Sequence, residues 1–208
     1  MAAPPGPGRT LAAAVYRPLA EQLADLAAAR PGDRVLELSA GDGELTARLP
    51  AGVEVAVRPW TLSRVHRGVD VAVSLLALDS RDDVGAVLGD LRRIAAHALV
   101  AVWTDGATHV DALRAAWRDV GGDETAIDPP GVDPAAVPSR WSRVPLADVA
   151  RFDGVGQLVV AMTAEHGISV PGEMNDPLRE RLAHHLARFT AADGTLRIPV
   201  RALLLSMS

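Results

Sequence analysis

Two glycines spaced by one residue, Gly41 and Gly43, follow the short apolar run Arg34 to Leu38 and precede a segment through Leu49 that can coil into a helix. A glycine turn between a strand and a helix lets backbone approach a ligand closely, and the free amides at the helix start favour polar or anionic groups. As a dinucleotide fingerprint the run reads Gly41-x-Gly43-x-x-Thr46. The third small residue is missing, and Asp42 puts negative charge where a pyrophosphate would sit, so a nicotinamide cofactor is disfavoured. An ordinary tight turn is the plainer meaning. Asp79, Asp82 and Asp83 follow a later apolar run. Asp79 could act there as a base or acceptor, whereas capping of the next helix is the commoner use of such a cluster. Trp103, Asp105 and His109 could frame an acceptor pocket, although a tryptophan there more often packs. Tyr16, the one tyrosine, could reach a pocket from the first helix or lie as an amphipathic surface residue. Arg58, Arg64 and Arg67 could fork onto a carboxylate or phosphate, against the blander reading of a solvated basic loop. Glu180 and His184 share a helix face, but two ligands make no metal site, and no metal is expected.

The elements that must position these residues are legible as periodicity. Leu11, Val15, Leu19, Leu23 and Leu26 predict a helix over 10–30, stopped by Pro31-Gly32. Strands are expected at 34–38, around Val53, Val55 and Val57, at 71–76 and at 98–103, with helices over 82–97 and 108–120 between and after the last two. Strands alternating with helices imply a mostly parallel sheet covered on both faces, with chemistry at the carboxyl ends of the strands. The segment 121–140 carries four prolines without periodicity and reads as a long connection, a lid or mere surface. Val155 to Met162 reads as a strand. Asp176-Pro177 reads as the cap and first-turn proline of a helix burying Leu178, Leu182, Leu186 and Phe189. Thr195 to Leu204 reads as a strand whose Pro199 argues for an edge or a bulge.

The 208 residues suit one domain over 10–208, behind a loose Pro-Gly tail over 1–9. Apolar residues make up 49% and charged ones 23%, which excludes disordered and coiled-coil chains. A net charge of −5 makes nucleic acid and anionic membrane poor partners. Cysteine is absent, which removes disulfides and thiolate chemistry and fits the cytoplasm. All 21 basic residues are arginine, so lysine Schiff bases are excluded as well.

The stretch Val35-Leu36-Glu37-Leu38-Ser39-Ala40-Gly41-Asp42-Gly43 resembles the first motif of the class I S-adenosylmethionine-dependent methyltransferases, with Ser39 in place of the usual first glycine. Gly68 to Leu78 looks like that family's fourth strand, and 82–94 like the helix after it. Phe152-Asp153-Gly154 and Gly194-Thr195-Leu196 are similar to the tail of its small-molecule branch. The resemblance spans most of 10–204. It implies a Rossmann-like α/β three-layer sandwich, seven-stranded when complete, whose last strand is antiparallel. By the same resemblance Glu37, Ser39, Ala40, Gly41 and Gly43 would line the methionine part of the cofactor, and Ser74 would lie near it. Tyr16, Arg58 and Trp103 are the substrate or anion candidates. No side chain declares itself catalytic, and Asp79 and His109 are the candidates.

Three departures from the family lie close together. The acid that takes the ribose hydroxyls at the end of the second strand is Arg58 here, and guanidinium offers donors and no acceptor. Between Arg58 and Asp70 the chain is too short for the helix, strand and adenine-binding loop that the family inserts, so one edge strand and its helix are expected to be missing. His97 alone separates the next helix from its strand. A reduced adenosine site is therefore expected on a methyltransferase-like chain of small-molecule, specialised metabolism. Its expected roles are a non-methylating enzyme such as a cyclase or isomerase, or a partner subunit. The alternative is an active methyltransferase with an altered adenosine pocket. S-adenosylmethionine is the one cofactor implied, and the second-strand edge could take a protein partner or a second copy.

Overall fold

The computed structural model describes residues 11–38, 43–58, 68–78, 83–103, 108–123, 126–127, 131–165 and 167–207. A five-residue π-helical turn, Ala12–Tyr16, leads into α1, Arg17–Ala27. Pro18 suits the first turn of α1, where its missing N–H is no loss. The helix ends where Ala28 turns left-handed at φ 47 and returns its N–H to the Asp25 carbonyl. Leu19, Ala20, Leu23, Ala24 and Ala27 are buried. Leu26, expected on the same stripe, is 51% exposed. It stands over an open groove of about 690 Å³, shared with Val71, Leu99 and Leu204, instead of against a packed neighbour.

The sheet contains β1 (Arg34–Leu38), β2 (Glu54–Arg58), β3 (Val69–Leu75), β4 (Ala95–Trp103), β5 (Ser142–Phe152) and β6 (Leu196–Met207). Their order is β2-β1-β3-β4-β6-β5. The first four strands pair in parallel, and β6 runs antiparallel to β4. Near-continuous apolar runs form β1, β3 and β4, as strands covered on both faces require. Against them packs α2 (Val84–Ile94), whose Val84, Leu88, Leu91 and Ile94 meet Leu36, Leu38, Ala72, Val100 and Leu205. Val132, Val137 and Trp141 complete that core, so part of the long connection is packed structure.

The remaining helices are α3 (Thr108–Asp119), α4 (Val155–Glu165) and α5 (Gly172–His185). By internal contact the chain divides into two units, one of 16–105, 130–147 and 201–208, the other of 1–15, 106–129 and 148–200. The first holds β1 to β4, α1 and α2; the second holds α3, α4 and α5.

Several expectations need correction. Val155 to Met162 is helical: Leu158, Val159, Ala161 and Met162 are buried at helical spacing while Val160 is 46% exposed. Thr163 Oγ1 also closes back onto the Val159 carbonyl at 2.8 Å. The helix expected after the glycine turn is only a 3-10 turn, Thr46–Arg48. Asp176 caps nothing, because α5 already begins at Gly172 and carries Pro177 inside it. Phe189 is half-buried in a 3-10 turn beyond α5. β6 is interior to the sheet, and its pairing with β4 covers only Ala202 to Met207, so Pro199 removes no bond from that ladder. Finally, β5 was hidden in the sequence by Pro145, although Leu146, Ala150 and Phe152 are buried at even spacing.

Candidate functional site

The order β2-β1-β3-β4 places β1 at the point where the chain reverses its direction of winding. In open α/β sheets the crevice outside the carboxyl ends of the strands at such a point is where ligands bind. The registers fix what lies there: Glu37 is level with Val57 and Val73, and Leu38 with Arg58 and Ser74. Ser74 is in turn level with Val100 of β4.

Glu37 is 2% exposed. Its carboxylate accepts a hydrogen bond from the Thr46 hydroxyl, its one side-chain partner among the described residues. Thr46 opens the 3-10 turn, and Ala47 N–H, one residue on, donates to the Gly43 carbonyl at 3.0 Å. The turn is moored to α1 by ion pairs. Arg48 meets Glu44 at 2.8 Å and Glu21 at 3.4 Å, and Arg17 meets Glu44 at 3.7 Å. Such exposed and half-exposed pairs are individually weak, but together they hold Thr46 at the end of β1. Gly43 has φ 75, a conformation that L side chains rarely adopt, and a Cβ there would meet nothing within 4 Å among the described residues. The turn needs glycine for its backbone.

Ser74 is fully buried, and its Oγ has no hydrogen-bond partner among the described residues. Trp103 closes β4, buried, with its carbonyl accepting from Val132 N–H at 3.0 Å. Tyr16 is half-buried immediately before α1. Arg58 is the last residue of β2. Thus Glu37 and Ser74 stand at the carboxyl ends of β1 and β3 with their side chains on opposite faces of the sheet, and Gly43 lies in the turn that follows β1. His109 is buried on α3, in the other unit. Ser39, Ala40, Gly41 and Asp79 lie outside the described residues, as do Asp82, Arg64, Arg67 and Asp105. Asp83 is a helix cap, accepting from Ala86 N–H at 3.0 Å. Among the described residues no group of three acidic, histidine or cysteine side chains could hold a metal. His184 lies edge-on to His185, and His185 is 2.9 Å from Asp119. That hydrogen bond holds the Asp119 carboxyl below its ordinary value.

Sequence reasoning missed Thr46. Its signal was a hydroxyl standing where a dinucleotide fingerprint has a third small residue, nine positions after a strand-end acid.

No family model and no curated protein matches the chain. Solved structures do. The YcgJ protein from Bacillus subtilis is 12% identical over 90% of this chain and 95% of its own, with a TM-score of 0.52. A structure described as a methyltransferase, from Bacillus halodurans, is 8% identical over 90% and 96%, with a TM-score of 0.55. The chain has the Rossmann-like methyltransferase fold. At these identities the methyltransferase fold is what is shared, and function has to come from the site. No helix among the described residues is long and apolar enough to cross a membrane.

Proposed function

We propose that this methyltransferase-fold chain does not hold S-adenosylmethionine in the ordinary way. It binds a small organic molecule of specialised metabolism and carries it through a non-methylating step such as a cyclisation or isomerisation. The observation that carries this reading is the end of β2. Among the described residues β2 is the sheet's edge, and its last residue, level with Leu38, is Arg58. The family resemblance asks for a ribose acceptor at that place, and arginine has none. Loss of a buried charge-assisted contact costs about 2 to 5 kcal/mol, a factor of about 30 to several thousand in affinity. Residues 59–68 alone separate β2 from β3, too few for a crossover helix and a returning strand.

What the site retains suits a small polar ligand. The buried Glu37 carboxylate, held by the Thr46 hydroxyl, and, on the other face of the sheet, the buried Ser74 hydroxyl, without a partner among the described residues, are each groups that an incoming ligand can satisfy. Shape with a few polar contacts is what small-molecule pockets use. Glu37 and Gly43 also favour a second reading, an active methyltransferase with an altered adenosine pocket, because the methionine end of the family's pattern survives at them. In that reading positioning would supply most of the catalysis.

Mass spectrometry of small molecules released from the purified protein separates the two. An organic molecule other than S-adenosylmethionine or S-adenosylhomocysteine is expected. Stoichiometric recovery of either would overturn the proposal in favour of the second reading.

A further inference from the structure

We infer that β2 is a dimerisation strand, pairing antiparallel with β2 of a second copy of this chain around a two-fold axis at Ala56. Three observations lead there. First, β2 is the outer strand of the sheet among the described residues, with Glu54 and Ala56 exposed and Val53 and Val55 half-buried. An unpaired edge presents its N–H and C=O groups as a template for another strand.

Second, the direction of those groups is fixed. Glu54 N–H donates to the Asp33 carbonyl at 3.0 Å, in the parallel register Arg34↔Glu54. Backbone polar groups alternate sides along a strand, so Glu54, Ala56 and Arg58 bond inward to β1, and Val55 and Val57 present theirs to the open edge. An antiparallel partner centred on Ala56 sets Val55 opposite Val57 of the second copy. Those are the residues whose groups point outward, and the two Val55/Val57 pairs exchange four backbone hydrogen bonds. Ala56 then faces Ala56 of the second copy as a non-hydrogen-bonded pair, where strands come closest and a small residue fits.

Third, the strand reads Glu54-Val55-Ala56-Val57-Arg58, which is complementary to its own reverse. The same register sets Glu54 opposite Arg58 of the second copy, twice by symmetry. Opposite charges directly across an antiparallel pair are favourable, and like charges are not. A pairing slipped by two residues, centred on Val55 or on Val57, would set Ala56 opposite Glu54 or Arg58 and leave both charged pairs unmade. Pro59 follows directly and has no N–H, so the ladder closes after five residues. The occupant is a second copy because charge and backbone direction both match this strand to itself.

Sedimentation of the full chain across a concentration series, with three substitutions, tests this. Wild type is expected to show a reversible monomer–dimer equilibrium. Val55→Pro removes a donor that faces the edge and leaves the β1 ladder intact, so circular dichroism should be unchanged while dimer is lost. Glu54→Arg alone and Arg58→Glu alone should each weaken self-association about tenfold or more. An equimolar mixture of those two should regain it, because each Arg then faces a Glu in the mixed dimer. Monomeric wild type at millimolar concentration would overturn the inference. So would Val55→Pro that dimerises as wild type does, or a mixture that fails to recover. None of these outcomes bears on cofactor binding, so this inference and the proposed function stand or fall separately.

Discussion

Glu37 and Ser74 sit one residue apart in register at the end of the sheet, and they make opposite demands on their surroundings. The Glu37 carboxylate is buried with the Thr46 hydroxyl on it. Replacing Thr46 by the isosteric valine strips that donor from a buried acceptor, and should cost about 1 to 3 kcal/mol. Urea denaturation measures it as a lower midpoint at unchanged slope. Ser74 Oγ is buried without a partner among the described residues, so Ser74→Ala should be neutral or stabilising by up to about 1 kcal/mol. If the hydroxyl serves a ligand, the same variant binds that ligand more weakly while melting no lower. At this scale the sequence was readable where a residue acts through its neighbours in the chain. Asp83 as a helix cap follows from local spacing, and Glu37 as a strand-end acid follows from the family resemblance. Thr46 was not readable, because its role depends on a turn bringing residue 46 back over residue 37.

At the scale of elements, Trp117 lies under the turn that ends α3, its indole N–H donating to the Asp123 carbonyl at 3.1 Å. A Cβ at Gly122 would overlap the Trp117 ring. Gly122→Ala should therefore destabilise by about 1 to 3 kcal/mol, read as a lower thermal midpoint. The His185–Asp119 bond ties α5 to α3, and it lowers the Asp119 carboxyl below its ordinary value of 3.8. A carboxyl lowered on folding contributes stability that is complete above its unfolded value and is lost as pH falls through its folded one. Below about pH 4, wild type should lose urea resistance more steeply than Asp119→Asn; parallel profiles would contradict this. α2 was legible in sequence through its helical period and the central strands through short apolar runs bounded by turn residues, although the helix expected over 82–97 ends at Ile94 and β4 begins at Ala95. Val155 to Met162 was misread because a short apolar run fits a buried strand as well as a helix, and periodicity alone does not separate them. β5 was missed because Pro145 interrupts a run whose alternation shows only beyond it.

For the whole molecule, the alternation of strands and helices already carried the mostly parallel sheet, the family resemblance implied the antiparallel last strand, and the count of residues gave the shortened passage from β2 to β3; the order of strands came only from the structure. The sequence could not carry the division into two units, which depends on distant segments such as 106–129 and 148–200 meeting, nor the outward direction of the Val55 and Val57 backbone, which follows from the β1 register. The second bears on function. Among the described residues β2 is the edge strand; it ends in Arg58, where the family resemblance would place the ribose acceptor, and it is the strand that we propose pairs with its own copy. The claim that joins these features is that S-adenosylmethionine is not an ordinary ligand of this chain. Isothermal titration calorimetry of the full chain with S-adenosylmethionine tests it most directly. No heat of binding is expected with ligand in the millimolar range, whereas saturable binding with a micromolar dissociation constant would contradict the account.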